Sequence, residues 1–267
     1  MRRGAVSKAP PTLMKITYHA LSDVGRKRKG NEDSLFVNPE QNLFVVADGM
    51  GGHAAGEVAS KVAVDAINEF VCMTSGDEEI TWPFGVEEDL SYDGNRLKTA
   101  IRYANSKVLD ATRESAEYEG MATTVVAALV ADATVNLAHV GDSRAYLFRE
   151  GEFRQLTSDH SWVNEQIRGG LISPDQARSH PLRNVVTRAL GGRAEIDVEM
   201  QVHEAKPGDL LLLCSDGLTT MVPDAEIARL LVEAGTDVEA AARRLVDEAN
   251  ARGGEDNITV LVLRFAE

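Results

Sequence analysis

The order of strand-like and helix-like segments predicts an α+β fold in which antiparallel sheets are flanked by helix pairs. Three observations lead there. Helical periodicity comes in pairs instead of alternating with strands, which opposes a doubly wound parallel sheet. Short runs such as NLFVVAD are apolar throughout, as in strands buried on both faces. Four aspartates also sit at the ends of apolar runs inside Gly- or Asn-marked turns: Asp48 in FVVADGMGG, Asp142 in AHVGDSRAY, Asp216 in LLLCSDGLT and Asp256 in GGEDNITVLVL.

Residues 14–48 are strand-like. Ala55, Val58, Ala59, Val62, Ala66, Ile67 and Phe70 then recur at helical spacing and predict a helix over 54–72. Leu97, Ile101, Ala104 and Val108 predict a second. The acidic, turn-rich stretch between them, within residues 74–95, reads as a solvated loop or as a docking surface built on Trp82 and Phe84. Strands follow in TTVVAALVA, TVNLAHV and SRAYLFR, the last turning at Glu150-Gly151 into EFRQL. Residues 157–190 are polar, hold Gly169-Gly170, Pro174 and Pro181, and show one helix-like piece near 161–168. Such a segment between regular elements reads as a mobile subdomain or lid. Strands are expected at 197–203 and 209–215. Two helical patterns follow, on Ile227/Leu230/Leu231/Ala234 and Val238/Ala241/Ala242/Leu245/Ala249, before a closing strand at 258–265.

The 267 residues have ample length for a sizeable core. A net charge of −14, from 28 basic and 42 acidic residues, argues against a nucleic-acid partner; much of the excess acid serves solubility. No run approaches the roughly 18 apolar residues of a membrane span. The opening MRRGAVSKAPPTL is basic without the apolar core of a secretion signal, so residues 1–13 are expected to be a disordered tail ahead of a single domain over 14–267. Cys72 and Cys214 lie in apolar stretches and read as buried, inert thiols of a reduced, cytoplasmic protein.

A strand delivers the residue just past its end to the sheet rim, so four strand-end aspartates can converge if their strands share a sheet. Carboxylates that close repel and need a counter-cation. Oxygen-only ligands point to magnesium or manganese rather than zinc, and the six histidines show no zinc spacing. Each aspartate alone is equally an ordinary turn residue; the set carries the argument. Gly49, Gly51 and Gly52 after Asp48 let the backbone approach a ligand, so a main-chain carbonyl can join the carboxylate. The run Arg26–Asp33 places a basic stretch before two acids, and a guanidinium beside metals could grip two phosphoryl oxygens. Its bland counterpart is a solvated face. His53 is either a helix N-terminal residue or a proton donor, and His160 either a lid hydrogen-bond partner or a group that protonates a leaving oxygen. Nucleotide-loop and serine-hydrolase motifs are missing from the sequence.

The pieces RKGNEDS, VVADGMGGHAAGE, ATT, AHVGDSRAY, LTSDHS, TRALG, SDGL and EDNITV occur in the order seen in the metal-dependent protein phosphatase family, protein phosphatase 2C, in its bacterial form. The resemblance runs from about residue 18 to 264. It implies a β-sandwich of two antiparallel sheets with a pair of helices on each outer face, a four-layer α-β-β-α arrangement, and a flap subdomain over about 157–190. It implies a serine/threonine phosphatase using two Mn2+ or Mg2+ ions and a third, weaker one. Asp48 would bridge the two ions, with the Gly49 carbonyl on one and Asp216 and Asp256 completing the other. Glu32 would act through metal-bound water, Asp142 with Asp216 would hold the third ion, and Arg28 would bind phosphate. Hydrolysis of phosphoserine or phosphothreonine would proceed by direct attack of a hydroxide bridging the metals, without a phosphoenzyme.

Animal members carry a histidine two residues after the first metal aspartate; here that position is Met50, which leaves the general acid open. The expected partners are phosphorylated proteins, including Ser/Thr kinases, and the chain is expected to act as a monomer. Two other roles compete: a catalytically silent binding module, which would usually have lost a metal aspartate, and a phosphatase dedicated to an anti-sigma-factor antagonist, whose known forms usually bring sensor domains.

Overall fold

The structure is a computed structural model that describes residues 14–51, 55–76 and 82–267. Its strands are β1 (Lys15–Asp23), β2 (Asp33–Asn38), β3 (Leu43–Met50), β4 (Ala122–Thr123), β5 (Val125–Ala131), β6 (Thr134–Val140), β7 (Arg144–Arg149), β8 (Glu152–Gln155), β9 (Glu199–Glu204), β10 (Leu210–Cys214) and β11 (Ile258–Ala266). Its helices are α1 (Ala55–Met73), α2 (Tyr92–Glu114), α3 (Trp162–Arg168), α4 (Pro174–Arg178), α5 (Asp216–Thr219), α6 (Asp224–Ala234) and α7 (Val238–Ala251), with a 3-10 turn at Ala116–Tyr118.

Alternation along β3 shows how the layers form. Leu43, Val45 and Ala47 pack with α1 and α2, whereas Phe44 and Val46 face the other way, into a cluster with Leu211, Leu213, Leu261, Leu263 and Phe265. Successive strand side chains point to opposite faces, so an unbroken apolar run serves two cores at once. One sheet has the order β1-β11-β10-β7-β8; the other runs β2-β3-β5-β6-β9, with β4 paired to β3. All the pairings in the two sheets are antiparallel. A third cluster joins the outer face of the first sheet (Leu210, Leu212, Cys214, Val260, Val262) to α6 and α7 (Ile227, Leu231, Ala242, Leu245). The result is the expected four-layer sandwich, with a helix pair on each outer face. Full burial of a single Leu, Val or Phe contributes about 1.5–3 kcal/mol, so these three clusters dominate the favourable side of folding.

Three expectations need correction. The strand-end aspartates come from both sheets, not one: Asp48 and Asp142 end strands of the second sheet, while Asp216 and Asp256 flank β10 and β11 of the first. Cys214 is buried, and burial pushes its thiol up to about 12, but Cys72 is exposed near the end of α1. Residues 157–190 also hold a second helix, α4, which has no apolar stripe to announce it. Its signal is local: Ser173 and Gln176 form a reciprocal capping box with Pro174 in the first turn.

Between α1 and α2, Trp82 packs edge-on against Tyr92 with ring centroids 5.6 Å apart, while Phe84 stays exposed. Residues 1–13, expected as a tail, lie outside the described residues, as does His53. Among the described residues no helix is long and apolar enough to cross a membrane.

Candidate active site

Residues from both sheets meet at one end of the sandwich. β3 brings in Asp48, whose N–H donates to Thr124 Oγ1 at 3.1 Å and whose carbonyl accepts from Thr124 N–H at 2.8 Å and Thr123 Oγ1 at 2.9 Å. The next residue must be glycine, because a Cβ on Gly49 would collide with the Gly56 carbonyl and with the backbone of Glu32. Gly49 N–H donates to that Glu32 carbonyl at 3.1 Å. From the facing sheet, β10 leads into Ser215 and Asp216, the first residue of α5, and the turn before β11 supplies Asp256. Asp142 lies in the turn joining β6 to β7.

The four lie near enough to feel one another's charge. Asp48 is pushed well above the ordinary carboxylate range by burial, then by the charges of Asp33, Asp216, Asp142 and Asp256. Burial raises Asp142 to about 7 and Asp216 to about 6, with Asp216 adding to the first and Asp256 to the second. Carboxylates this close cannot all ionise without cations among them.

Sequence reasoning gave Asp33 no role, yet it belongs to the cluster. It is 8% exposed and stands directly opposite Asp48 in the β2–β3 register. Its Oδ2 accepts from Ser215 Oγ at 2.7 Å, and its Oδ1 is buried with no hydrogen-bond partner. Burial raises it to about 7, with Asp216 and Asp256 adding to the shift. The available signal was period two: Asp33 is an acid at an inward position of a strand, next to Glu32.

Asn257 fastens the loops around this rim. Its Oδ1 accepts from Glu32 N–H at 2.8 Å, and its Nδ2 donates to the carbonyls of Val24 and Gly30, each at 2.9 Å. Its own N–H donates to Asp256 Oδ1 at 2.8 Å. Sequence reasoning missed it too, since an asparagine in a turn has an ordinary local explanation. Glu32 is raised mainly by burial, against the pull of Arg28. Arg28 Nη2 donates to Asp256 Oδ2 at 2.6 Å, with 49% of the arginine side chain exposed. The guanidinium thus stands at the mouth of the cluster. Arg26, Lys27 and Lys29 are exposed, as a solvated face requires.

A groove of about 920 Å³ runs outward from Asp142 and Asp216, between helices α3 and α4 and the start of α6. Its floor holds Arg144, fork-paired to Asp159 through Nε–Oδ1 at 2.9 Å and Nη2–Oδ2 at 2.6 Å. Of the two histidines considered as proton donors, His160 is 3% exposed and has both ring nitrogens engaged, by Gly141 N–H and by Glu199 Oε2, so neither nitrogen is free to protonate a leaving oxygen.

The donor set is all oxygen, includes an orphaned buried carboxylate oxygen on Asp33, and carries more negative charge than the surrounding residues offset. It suits hard divalent cations such as Mg2+ or Mn2+.

The protein phosphatase 2C family profile matches residues 26–252. The chain is 42% identical over 249 residues to the serine/threonine phosphatase Stp of Listeria innocua, covering 91% of this chain and 93% of that protein. The crystal structure of the Mycobacterium tuberculosis serine/threonine phosphatase PstP/Ppp aligns with a TM-score of 0.81 at 39% identity, over 94% of this chain and 99% of that one. The PstP catalytic domain in complex with two manganese ions aligns with a TM-score of 0.80 at 37% identity, over 95% of this chain and 100% of that one. With the fold, the carboxylate rim and these likenesses in agreement, the chain belongs to the protein phosphatase 2C family.

Proposed function

We propose that this chain is a metal-dependent serine/threonine protein phosphatase that removes phosphate from phosphoserine and phosphothreonine in proteins. The observation that carries the reading is the rim itself: partly buried carboxylates around the buried Asp33, in excess of local positive charge, at the inner end of a groove of about 920 Å³. Asp48 would bridge two divalent ions, with the Gly49 carbonyl on one and Asp216 and Asp256 on the other. Glu32 would act through water, and Asp142 with Asp216 would hold a third, weaker ion. When bound, such ions supply a nucleophilic water at neutral pH and neutralise charge on the phosphoryl oxygens.

The chain's own residues orient and exclude. Thr123 and Thr124 fix the backbone of Asp48 with hydrogen bonds, so its carboxylate keeps one position. Asn257 holds Glu32 and Asp256 in mutual register. Arg28, tethered to Asp256 and otherwise open to solvent, is set to turn its remaining N–H groups to a phosphoryl oxygen pair. The groove receives the polypeptide around the phosphorylated residue, and its Arg144–Asp159 pair presents little net charge.

Residues 14–267 work as one catalytic domain with a flap over 157–190, in a cytoplasmic, monomeric enzyme opposing Ser/Thr kinases. A silent binding module is disfavoured because none of the expected metal carboxylates is missing. A role confined to an anti-sigma-factor antagonist has no observation in its favour.

The test is phosphate release from a phosphothreonine peptide with manganese. Wild-type protein is expected to be active and to lose activity on chelation, and Asp48→Asn should lower turnover by about a hundredfold or more. Equal activity of the two proteins, or release that ignores metal, would overturn the assignment.

A further inference from the structure

One residue at the base of the flap holds both polar groups of another. The main-chain N–H of His160 donates to the Gly141 carbonyl at 2.9 Å, and Gly141 N–H donates to the His160 ring at Nδ1, at 3.1 Å. The His160 carbonyl accepts from Thr187 N–H at 2.8 Å, on the returning arm of the flap, where Ser161 also bridges Val186. Its Nε2 lies 3.3 Å from Glu199 Oε2 on β9, and its ring stacks on His139 at 4.7 Å.

His139, His160 and Glu199 bring potential ligand atoms within 4.8 Å of one another, the composition of a metal site. The hydrogen bonds deny His160 that part. A nitrogen that accepts from a backbone N–H carries no proton, so the neutral ring has its proton on Nε2 and no lone pair there for an ion. Burial, then His139 and Arg188, lowers the ring's pKa to about 4, which keeps it neutral. The cluster is therefore a hydrogen-bonded joint.

What the joint holds is informative. Gly141 has φ +111°, and a Cβ there would lie 2.5 Å from Thr124 Cβ. Gly141 is thus wedged between His160 and the threonine that accepts from Asp48 N–H, and it immediately precedes Asp142. We propose that His160 is a positioning residue for Asp142: by engaging both polar groups of Gly141 it fixes the turn that presents the Asp142 carboxylate, and through Thr187 it ties that turn to the flap. This rests on the reading in which Asp142, with Asp216, holds a third and weaker ion.

Two substitutions separate the ends of the imidazole. His160→Asn keeps an acceptor at the Nδ1 position facing Gly141, whereas His160→Gln keeps only the Nε2 end facing Glu199. Manganese titration by calorimetry on wild type should resolve tight and weak steps, and Asp142→Asn should remove the weak one. His160→Gln is expected to weaken the weak step by about tenfold while sparing the tight one, and His160→Asn to restore it to within about threefold. Adding His160→Gln to Asp142→Asn should change nothing further.

The proposal falls if the Gln and Asn variants weaken the steps alike, if the tight step suffers equally, or if the double variant is additive. If Asp142→Asn leaves the weak step intact, the third-ion reading itself fails. If it removes that step while His160→Gln leaves it unchanged, only the part given to His160 fails. Should the Gln variant not fold, His160→Met fills the space without an acceptor and makes the same comparison.

Discussion

Asp33 and Asp48 stand directly opposite each other on the antiparallel pair of β2 and β3. Directly opposed like charges oppose strand pairing, and Asp33 is buried as well. Asp33 has a folded-state pKa near 7, raised mainly by burial, against about 3.9 in an unfolded chain. The folded protein therefore holds more protons than the unfolded one between pH 4 and 7, so this group's contribution worsens as pH rises through that window. Without metal, Asp33→Asn removes the charge and keeps an acceptor for Ser215. Urea denaturation in chelator at pH 8 should show the variant more stable, on the order of 2 kcal/mol, with the gain shrinking toward pH 5. A variant less stable at pH 8 would mean that Asp33 is already satisfied without cations.

Protons and metal ions compete for the same oxygens. Asp142 titrates near 7 and Asp216 near 6 in the metal-free rim, so both take up protons as pH falls from 7.5 to 5.5. A protonated carboxyl is a poor ligand, which makes metal affinity fall with pH. Calorimetric manganese affinity should drop by about tenfold or more across that interval. The weakest step, assigned to Asp142, should fail first. An affinity flat in pH would place the ligands on groups already ionised at 5.5.

The legible part of this site was what strand chemistry makes legible. Asp48, Asp142, Asp216 and Asp256 each adjoin an apolar run and a turn, so their delivery to a rim follows from the pattern alone. That the rim joins two sheets does not follow, because β3 and β10 are apolar on both faces and nothing in them says which face meets helices. Asp33 was hidden by its neighbours: in RKGNEDS it looks like one more surface acid, and only the register opposite Asp48 reveals it as buried. Cys72 misled for the opposite reason. It follows Phe70 and Val71 in an apolar string, but the helical turn rotates it out of the core.

The phosphate-binding role proposed for Arg28 can be tested for whether it rests on geometry or on charge alone. Its Nη2 is engaged by Asp256 at 2.6 Å, which orients the guanidinium and leaves its other donors accessible. Arg28→Ala should cut kcat/KM for a phosphothreonine peptide by about a hundredfold. Arg28→Lys should recover only part of that, because an ammonium cannot present two parallel donors. Full recovery by lysine would reduce the arginine's role to charge.

The Arg144–Asp159 pair ties β7 to the segment that leads into α3. Both of its bonds are short, the side chains are 24% and 15% exposed, and Arg144 Nη1 also donates to Tyr146 Oη at 3.0 Å. Tyr146 in turn donates to Asp224 Oδ1 at 3.1 Å, so one guanidinium links the segment before α3 to the start of α6. Removing one member of a mostly buried pair leaves the other charged and poorly solvated; full burial would cost about 3–5 kcal/mol. Solvent screening at this partly open site lowers the expectation for Arg144→Met to about 2 kcal/mol by urea denaturation. The double change Arg144→Met with Asp159→Leu should recover most of the loss, because no unpaired charge remains. It should also make the groove more apolar and alter the ranking of peptide substrates, an effect a purely structural pair would not produce. A double variant no more stable than Arg144→Met would show that the fork's geometry, and not the stranded carboxylate, sets the cost.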